Sequence, residues 1–252
     1  MRIGKSLFLA ALSAVGLALA AGGAQAQDLT IKIATEGAYP PFNETDPSGE
    51  LKGFDVDIAN ALCEEMKATC EIVAQDWDGI IPGLVANKYD AIIASMSITD
   101  ERKQTVDFTD RYYSNYLRLV AKKGSDINGV ESLSGKTVGA QRATVAAQWA
   151  EDTLGRNATV KLYDTQTAAY SDLEAGRLDA LASDVYPAFD WLKDKPDYEF
   201  VGERIDINDL IGIAVRKGED DLREKFNAAL TAIRENGAYA KINEKYFPFD
   251  IY

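Results

Sequence analysis

The sequence predicts an α/β protein built from two units, each a mainly parallel sheet flanked by helices. Short β-rich runs alternate with helical patterns over residues 29–94 in the order β-α-β-α-β, and that order implies parallel strands covered by helices. The same alternation restarts near Tyr116. No long apolar run follows the first 26 residues, so nothing beyond them reads as a membrane span.

At the amino terminus, Arg2 and Lys5 precede an apolar stretch over residues 7–20, and Ala24-Gln25-Ala26 has the small-x-small form of a cleavage site. Residues 1–26 therefore read as a secretory signal peptide. A transmembrane anchor is the alternative, but the stretch falls short of the ~18 apolar residues expected of one. No cysteine follows the cleavage site to take a lipid. Cleavage leaves an exported, soluble chain of 226 of the 252 residues.

The first strand is read at 29–34. Residues 54–66 place Phe54, Ile58, Leu62 and Met66 at fourfold spacing, the pattern of an amphipathic helix. A strand at 71–74, a helix at 77–86 and a buried strand at 90–94 complete the first unit. In the second, strands are read at 117–122, 137–140, 160–163 and 180–183, with helices at 144–154 and 167–175. A strand at 211–215 and helices at 222–236 and 239–246 close the chain. Sites in such folds lie outside the carboxyl ends of the strands.

Composition excludes several classes. After cleavage 25 basic residues face 40 acidic ones, a net charge of −15, which repels nucleic acid and anionic lipid. Histidine is absent, which removes Ser-His-Asp and Cys-His catalysis and His-ligated metal. No cofactor and no metal are expected, and any catalysis would rest on carboxylates, Lys or Tyr. The only cysteines, Cys63 and Cys70, are most simply a disulfide pinning a helix end to the next strand in an oxidising compartment. Free thiols, or half of a metal site, are the alternatives.

The most informative stretch is 33–109. It contains IATEGAYPPFN, GFDVDIANALC, QDWDGIIPGL and YDAIIASMSITDERKQTVDFT, each ending in a turn that presents polar or aromatic groups. In this order and spacing the blocks resemble the solute-binding proteins of polar amino-acid transporters (family 3), above all the lysine/arginine/ornithine and histidine binding proteins. The resemblance runs from about residue 28 to the carboxyl terminus. It implies a two-lobed, type II periplasmic-binding-protein-like fold with lobe I at 27–115 and 209–252 and lobe II at 116–208. The two hinge crossings then fall near Asn115 and Asn208. It also supports the Cys63–Cys70 pair, which that group shares.

The resemblance further implies a set of ligand-binding residues. Arg102 in SMSITDERKQ takes the α-carboxylate, as the planar fork of a guanidinium suits it. Asp184 in LDALASDV takes the α-ammonium. Ser95 and Ser97 contact the ligand main chain, and alternation about Met96 turns both hydroxyls to one side. Thr144 opens a helix whose free N–H groups favour a carboxylate. Tyr39 and Trp77 flank the ligand side chain, and Glu36 meets its distal cation. Ala94, Met96, Gln141 and Val145 complete the lining. Asp55 in GFDVD adds negative potential, or is simply a first-turn helix acid. Taken singly, most of these have ordinary explanations: a helix cap for Thr144, a turn acid for Asp184, core aromatics for Tyr39 and Trp77.

Three departures bear on the ligand. Ala94 stands where a serine is common, Val145 replaces a hydroxyl residue, and Glu36 is longer than the aspartate of some members. Each lost hydroxyl removes a hydrogen bond of about 1 kcal/mol. Glu36, Ala94 and Met96 together also resemble opine-binding relatives. The implied function is capture of a cationic L-amino acid (arginine, lysine, ornithine or histidine) in the periplasm by a monomer, and its delivery to the membrane permease of an ABC transporter. Octopine or nopaline binding is the second possibility. A cyclohexadienyl or arogenate dehydratase on the same scaffold is the third.

Overall fold

The structure, a computed structural model, describes Met1 and residues 29–252. Met1 aside, the signal peptide read at 1–26 lies outside the described residues.

The chain enters as Thr30–Thr35 (β1), then builds a small antiparallel sheet from Ala38–Tyr39 (β2), Asn43–Thr45 (β3) and Leu51–Lys52 (β4). Phe54–Glu65 (α1), Thr69–Ala74 (β5), Trp77–Val85 (α2), Ala91–Ile92 (β6) and one turn of helix at Asp100–Lys103 (α3) follow. Val106–Lys122 (β7) is a strand of 17 residues. Next come a 3-10 turn at Val130–Leu133, then Thr137–Gln141 (β8), Val145–Leu154 (α4), Thr159–Tyr163 (β9), Gln166–Glu174 (α5), Ala180–Asp184 (β10) and Val185–Leu192 (α6). Tyr198–Arg216 (β11), 19 residues long, returns, and Asp220–Glu235 (α7) and Ala238–Tyr246 (α8) end the fold.

One sheet runs β5-β1-β6-β11-β7-β10-β8-β9. Its outer strands are parallel on both sides: β1 with β5 and β6, β8 with β9 and β10. The long antiparallel pair β7/β11 joins them. The two outer groups attach at opposite ends of that ladder, β6 at Ala214–Val215 and β10 at Leu117–Ala121. The β7/β11 register slips between Val201 and Ile205 opposite β10, and between the attachments it slips again before Asp209 and on both sides of Gly212, so the ladder is irregular in mid-span.

Each group has a core, and the one on the β1 side reaches across to Val185 and Tyr186 of α6. On the β1 side Phe54, Ile58 and Leu62 are wholly buried, which is the predicted face of α1, and they pack with Phe226, Ile233 and Tyr239 of α7 and α8. Burying each such side chain contributes about 1.5–3 kcal/mol. Met66 falls just past the helix as its cap and is only partly buried. On the β8 side Leu119, Val138, Ala150 and Leu154 form the centre. Gly53 sets the entry to α1: its φ is 127°, and a Cβ there would collide with the Phe42 carbonyl. Cys63 and Cys70 are bonded and tie the last turn of α1 to β5.

Several predicted elements are corrected. The strand expected at 90–94 is paired only at Ala91–Ile92, because Ser95 turns into the left-handed region (φ 52°). The strands expected at 117–122 and 211–215 are the ends of β7 and β11. Their other halves carry charges and bulges that break apolar alternation. The β2–β4 sheet, α3 and α6 were not anticipated.

Candidate ligand-binding site

The strand ends and helix starts named above converge between the two groups. Glu36 follows β1, Tyr39 ends β2 and Trp77 opens α2. Ala94, Ser95 and Ser97 follow β6, and Arg102 lies in α3. From the other group come Gln141 at the end of β8, Thr144 and Val145 at the start of α4, and Asp184 at the end of β10. These eleven residues line one cavity of about 20 Å3, room for about one water. A cleft of about 550 Å3 shares Trp77, Arg102, Thr144 and Val145 with it, and another of about 370 Å3 shares Glu36 and Trp77. The clefts are larger, but the buried ionisable groups converge on the small cavity, so the chemistry lies there.

Hydrogen bonds join its two walls. The Tyr39 hydroxyl donates to Asp184 Oδ2 at 2.6 Å, and Gln141 Nε2 donates to Glu36 Oε1 at 2.7 Å. The Ala143 carbonyl accepts from Trp77 Nε1 at 3.2 Å and from Arg102 Nη2 at 2.9 Å, while Arg102 Nη1 donates to the Ser97 carbonyl at 2.9 Å. Arg102 also lies 5.3 Å from the centre of the Trp77 ring. At the rim, Arg142 pairs with Asp78 and Asp164 at 3.3 and 2.9 Å.

Local structure explains these placements. Ser95 is held in its left-handed turn by two bonds: its N–H donates to the Tyr112 hydroxyl at 3.0 Å, and its Oγ donates to Asp55 Oδ2 at 2.9 Å. Asp55 accepts two more bonds, from Asn43 Nδ2 and the Tyr112 hydroxyl, both at 2.8 Å. It is 0% exposed and lies beneath the cavity without lining it. Burial raises its pKa to about 6, and the Tyr112, Asn43 and Ser95 donors oppose that rise. Met96, expected in the lining, does not reach the small cavity: alternation with Ser95 and Ser97 turns it to the other side, where it is buried in the cluster with Ile80 and Leu84 and borders the cleft of about 550 Å3. Thr144 caps α4, its Oγ1 accepting from the Ala147 N–H at 3.2 Å.

Electrostatics set the cavity apart. Asp184 stands at the N-cap of α6 yet makes no capping bond with its side chain. Its Oδ1 is buried without a hydrogen-bond partner. Burial first, then the nearby Asp209 carboxylate, raises its pKa, while Tyr39, Asn115 and Arg102 pull it down. Glu36 is pushed up to about 7, mainly by burial and further by Asp76 and Asp78, against the hydrogen bond from Gln141. Burial lowers the pKa of Arg102, and Asp209, Asp184 and Glu101 support its charge. The cavity thus offers a guanidinium, an acceptor oxygen without a donor, and a second buried acid. Among the described residues there is no cluster of three or more His, Cys, Asp or Glu suited to a metal ion.

Sequence reasoning missed three contributors. The Ala143 carbonyl is exposed to its two donors by a left-handed turn (φ 57°) that no side-chain motif announces. Asn115 and Asp209 meet only through strand pairing, with Asn115 Nδ2 donating to Asp209 Oδ2 at 2.7 Å.

Comparison with known proteins identifies the family and the fold. The sequence profile of the bacterial extracellular solute-binding proteins, family 3, matches residues 31–249. An L-arginine-binding protein of Pseudomonas aeruginosa is 46% identical, over 97% of this chain and 98% of its own length. The lysine/arginine/ornithine-binding periplasmic protein of Escherichia coli is 39% identical, over 98% and 99%. An ancestral arginine-binding protein solved with arginine bound superimposes with a TM-score of 0.82 at 39% identity, covering 86% of this chain and 98% of that one.

Proposed function

Because the chain belongs to the bacterial extracellular solute-binding proteins, family 3, we propose that it captures a cationic L-amino acid outside the cytoplasm and hands it to the permease of an ABC transporter. Arginine, lysine, ornithine and histidine form the ligand class. Arg102 holds the α-carboxylate and Asp184 the α-ammonium. Ser95, Ser97 and Thr144 contact the ligand main chain, Tyr39 and Trp77 flank the side chain, and Glu36 with Gln141 receives its distal cation. Ala94 and Val145 complete the walls. Asp55 acts from below by fixing Ser95.

The observation that carries this assignment is Asp184 Oδ1, a buried carboxylate oxygen lacking a donor in a cavity that also presents Arg102. An ammonium supplies the missing donor, and stranding such a charge is costly.

Residues 27–115 and 209–252 form one lobe and 116–208 the other, hinged where β7 and β11 cross. A cavity of about 20 Å3 is too small for an amino acid, so the bonds between Tyr39 and Asp184 and between Gln141 and Glu36 part to admit one. A ligand that bridges Arg102 and Asp184 favours the closed arrangement, which the permease reads. The signal peptide at 1–26 places the protein in the periplasm. Among the described residues no helix is long and apolar enough to cross a membrane.

Opine binding is the second reading: of the three residues behind it, Glu36 and Ala94 line the small cavity and Met96 borders the larger cleft beside it. The raised pKa of Glu36 is the observation favouring a dehydratase, since a general acid needs one. The relatives compared here are named as binding proteins, and both zwitterion-binding ends are present. A thermal-shift panel of arginine, lysine, ornithine, histidine, octopine and nopaline tests the assignment, and turnover of prephenate or arogenate would replace it with the enzyme.

A further inference from the structure

A second carboxyl lies behind Asp184 that the binding scheme does not use. Asp209 on β11 is 6% exposed and pairs in register with Asn115 of β7, itself 3% exposed. On the other flank of β7, Asp184 of β10 pairs with Leu117. Residues two apart on a strand share a face, so the acids of both flanking strands converge over the same side of β7. Asn115 stands between them. Its Nδ2 is committed to Asp209 Oδ2, and its Oδ1, like Asp184 Oδ1, is buried without a partner.

Asp184 therefore faces Tyr39 from β2, Arg102 from α3, Asn115 from β7, Asp209 from β11 and, more distantly, Tyr113 from β7 and Tyr170 from α5. One guanidinium stands among two carboxylates, and like charges buried together do not both ionise freely. An acceptor such as Asp184 Oδ1 is satisfied either by its own proton or by a donor from a ligand.

We propose that Asp209, acting through Asn115, is a positioning residue that keeps a proton on Asp184 until the ammonium of a ligand replaces it, so that capture expels a proton. The proposal rests on the amino-acid binding assigned above. In the exchange the O–H bond of the Asp184 carboxyl breaks, its proton passes to solvent, and the ammonium N–H groups donate to the carboxylate that remains. No electrons move and no co-reactant is needed. Burial and the Asp209 charge act in the same direction on Asp184, both favouring the protonated form. Protonated Asp184 cannot hold an ammonium, so affinity is complete above its pKa in the free protein and falls up to about tenfold per pH unit below it.

Calorimetric titration with L-arginine, in two buffers of different ionisation heat at each pH between about 5 and 8, counts the protons released. Wild type is expected to release protons. Asp209→Asn should release fewer, with the acid limb of its affinity profile about one pH unit lower. Glu36 also exchanges a proton when it meets the ligand side chain, but it does so in both proteins, so the difference reports the Asp184–Asp209 pair, both of whose carboxyls burial raises, and the shifted acid limb assigns it to Asp184. Equal proton counts, or a uniform loss of affinity at every pH as a merely structural role would give, overturns the proposal. Asp209→Ser is a second route should Asp209→Asn fold poorly: it too should release fewer protons than wild type with its acid limb shifted down, and an unchanged count or limb also overturns the proposal. Arginine that binds at no pH removes the amino-acid assignment itself, and this exchange with it.

Discussion

Asp55→Asn is the most informative single change, because the structure specifies both terms of its effect. The carboxylate accepts three hydrogen bonds, from Tyr112, Asn43 and Ser95, and is wholly buried. Against the ionised carboxylate, an amide keeps one oxygen for Asn43 and Ser95 but turns its NH2 toward the Tyr112 hydroxyl, leaving one buried O–H without an acceptor at a cost of about 1–3 kcal/mol, a cost the protonated carboxyl shares. Against this stands relief of the buried charge. The folded pKa of Asp55 lies near 6 against an ordinary 3.8, a gap of about 3 kcal/mol. A raised folded pKa stabilises the native state fully below the unfolded value and loses that contribution as pH rises through the folded one. Near pH 4 wild-type Asp55 is itself protonated and presents one donor and one acceptor as an amide does, so Asp55→Asn should match wild type there to within about 1 kcal/mol. By about pH 7.5 the variant should be the more stable of the two, as wild type gives up about 3 kcal/mol. Urea denaturation at both pH values measures this. A stability difference that does not change with pH would falsify the account of Asp55 as a desolvated carboxyl.

Three further outcomes are expected. Asp184→Ala should fold normally and lose about 2–5 kcal/mol of arginine affinity, as expected for stranding the ligand ammonium, and near-unchanged calorimetric affinity would refute its role. Reducing Cys63–Cys70, which closes an eight-residue loop, should lower unfolding free energy by about 2.5 kcal/mol. Thiol labelling of the native protein without reductant would contradict the bond. X-ray scattering should show a smaller radius of gyration with saturating arginine than without it, since ligand bridging Arg102 and Asp184 selects the closed arrangement. Identical profiles would leave the hinge without support.

How much of this was legible in the sequence depended on whether the signal was local. The α1 face was readable because Phe54, Ile58 and Leu62 repeat with the helix, and all three are buried. Eleven of the twelve residues expected to line the site do line one cavity, because they sit in turns whose motifs are contiguous in sequence. Met96 borders the larger cleft instead, opposite Ser95 and Ser97, and the left-handed backbone at Ser95 that shapes this turn depends on Tyr112, 17 residues away, and Asp55, 40 residues away. Asp209 was invisible for a similar reason: its burial and its bond to Asn115 join residues 94 positions apart. β7 and β11 are legible only at their apolar ends, since the joining halves carry charges and slip register, which breaks the period-2 pattern.

The central claim is that Arg102 and Asp184 hold the two ends of an amino acid. The most direct test is calorimetric titration with L-arginine set against agmatine, which keeps the guanidinium and the amine but lacks the carboxylate. Arginine should bind one to one, and agmatine at least about 30-fold more weakly, the loss expected when Arg102 finds no carboxylate. Equal affinity for the two compounds would contradict the account.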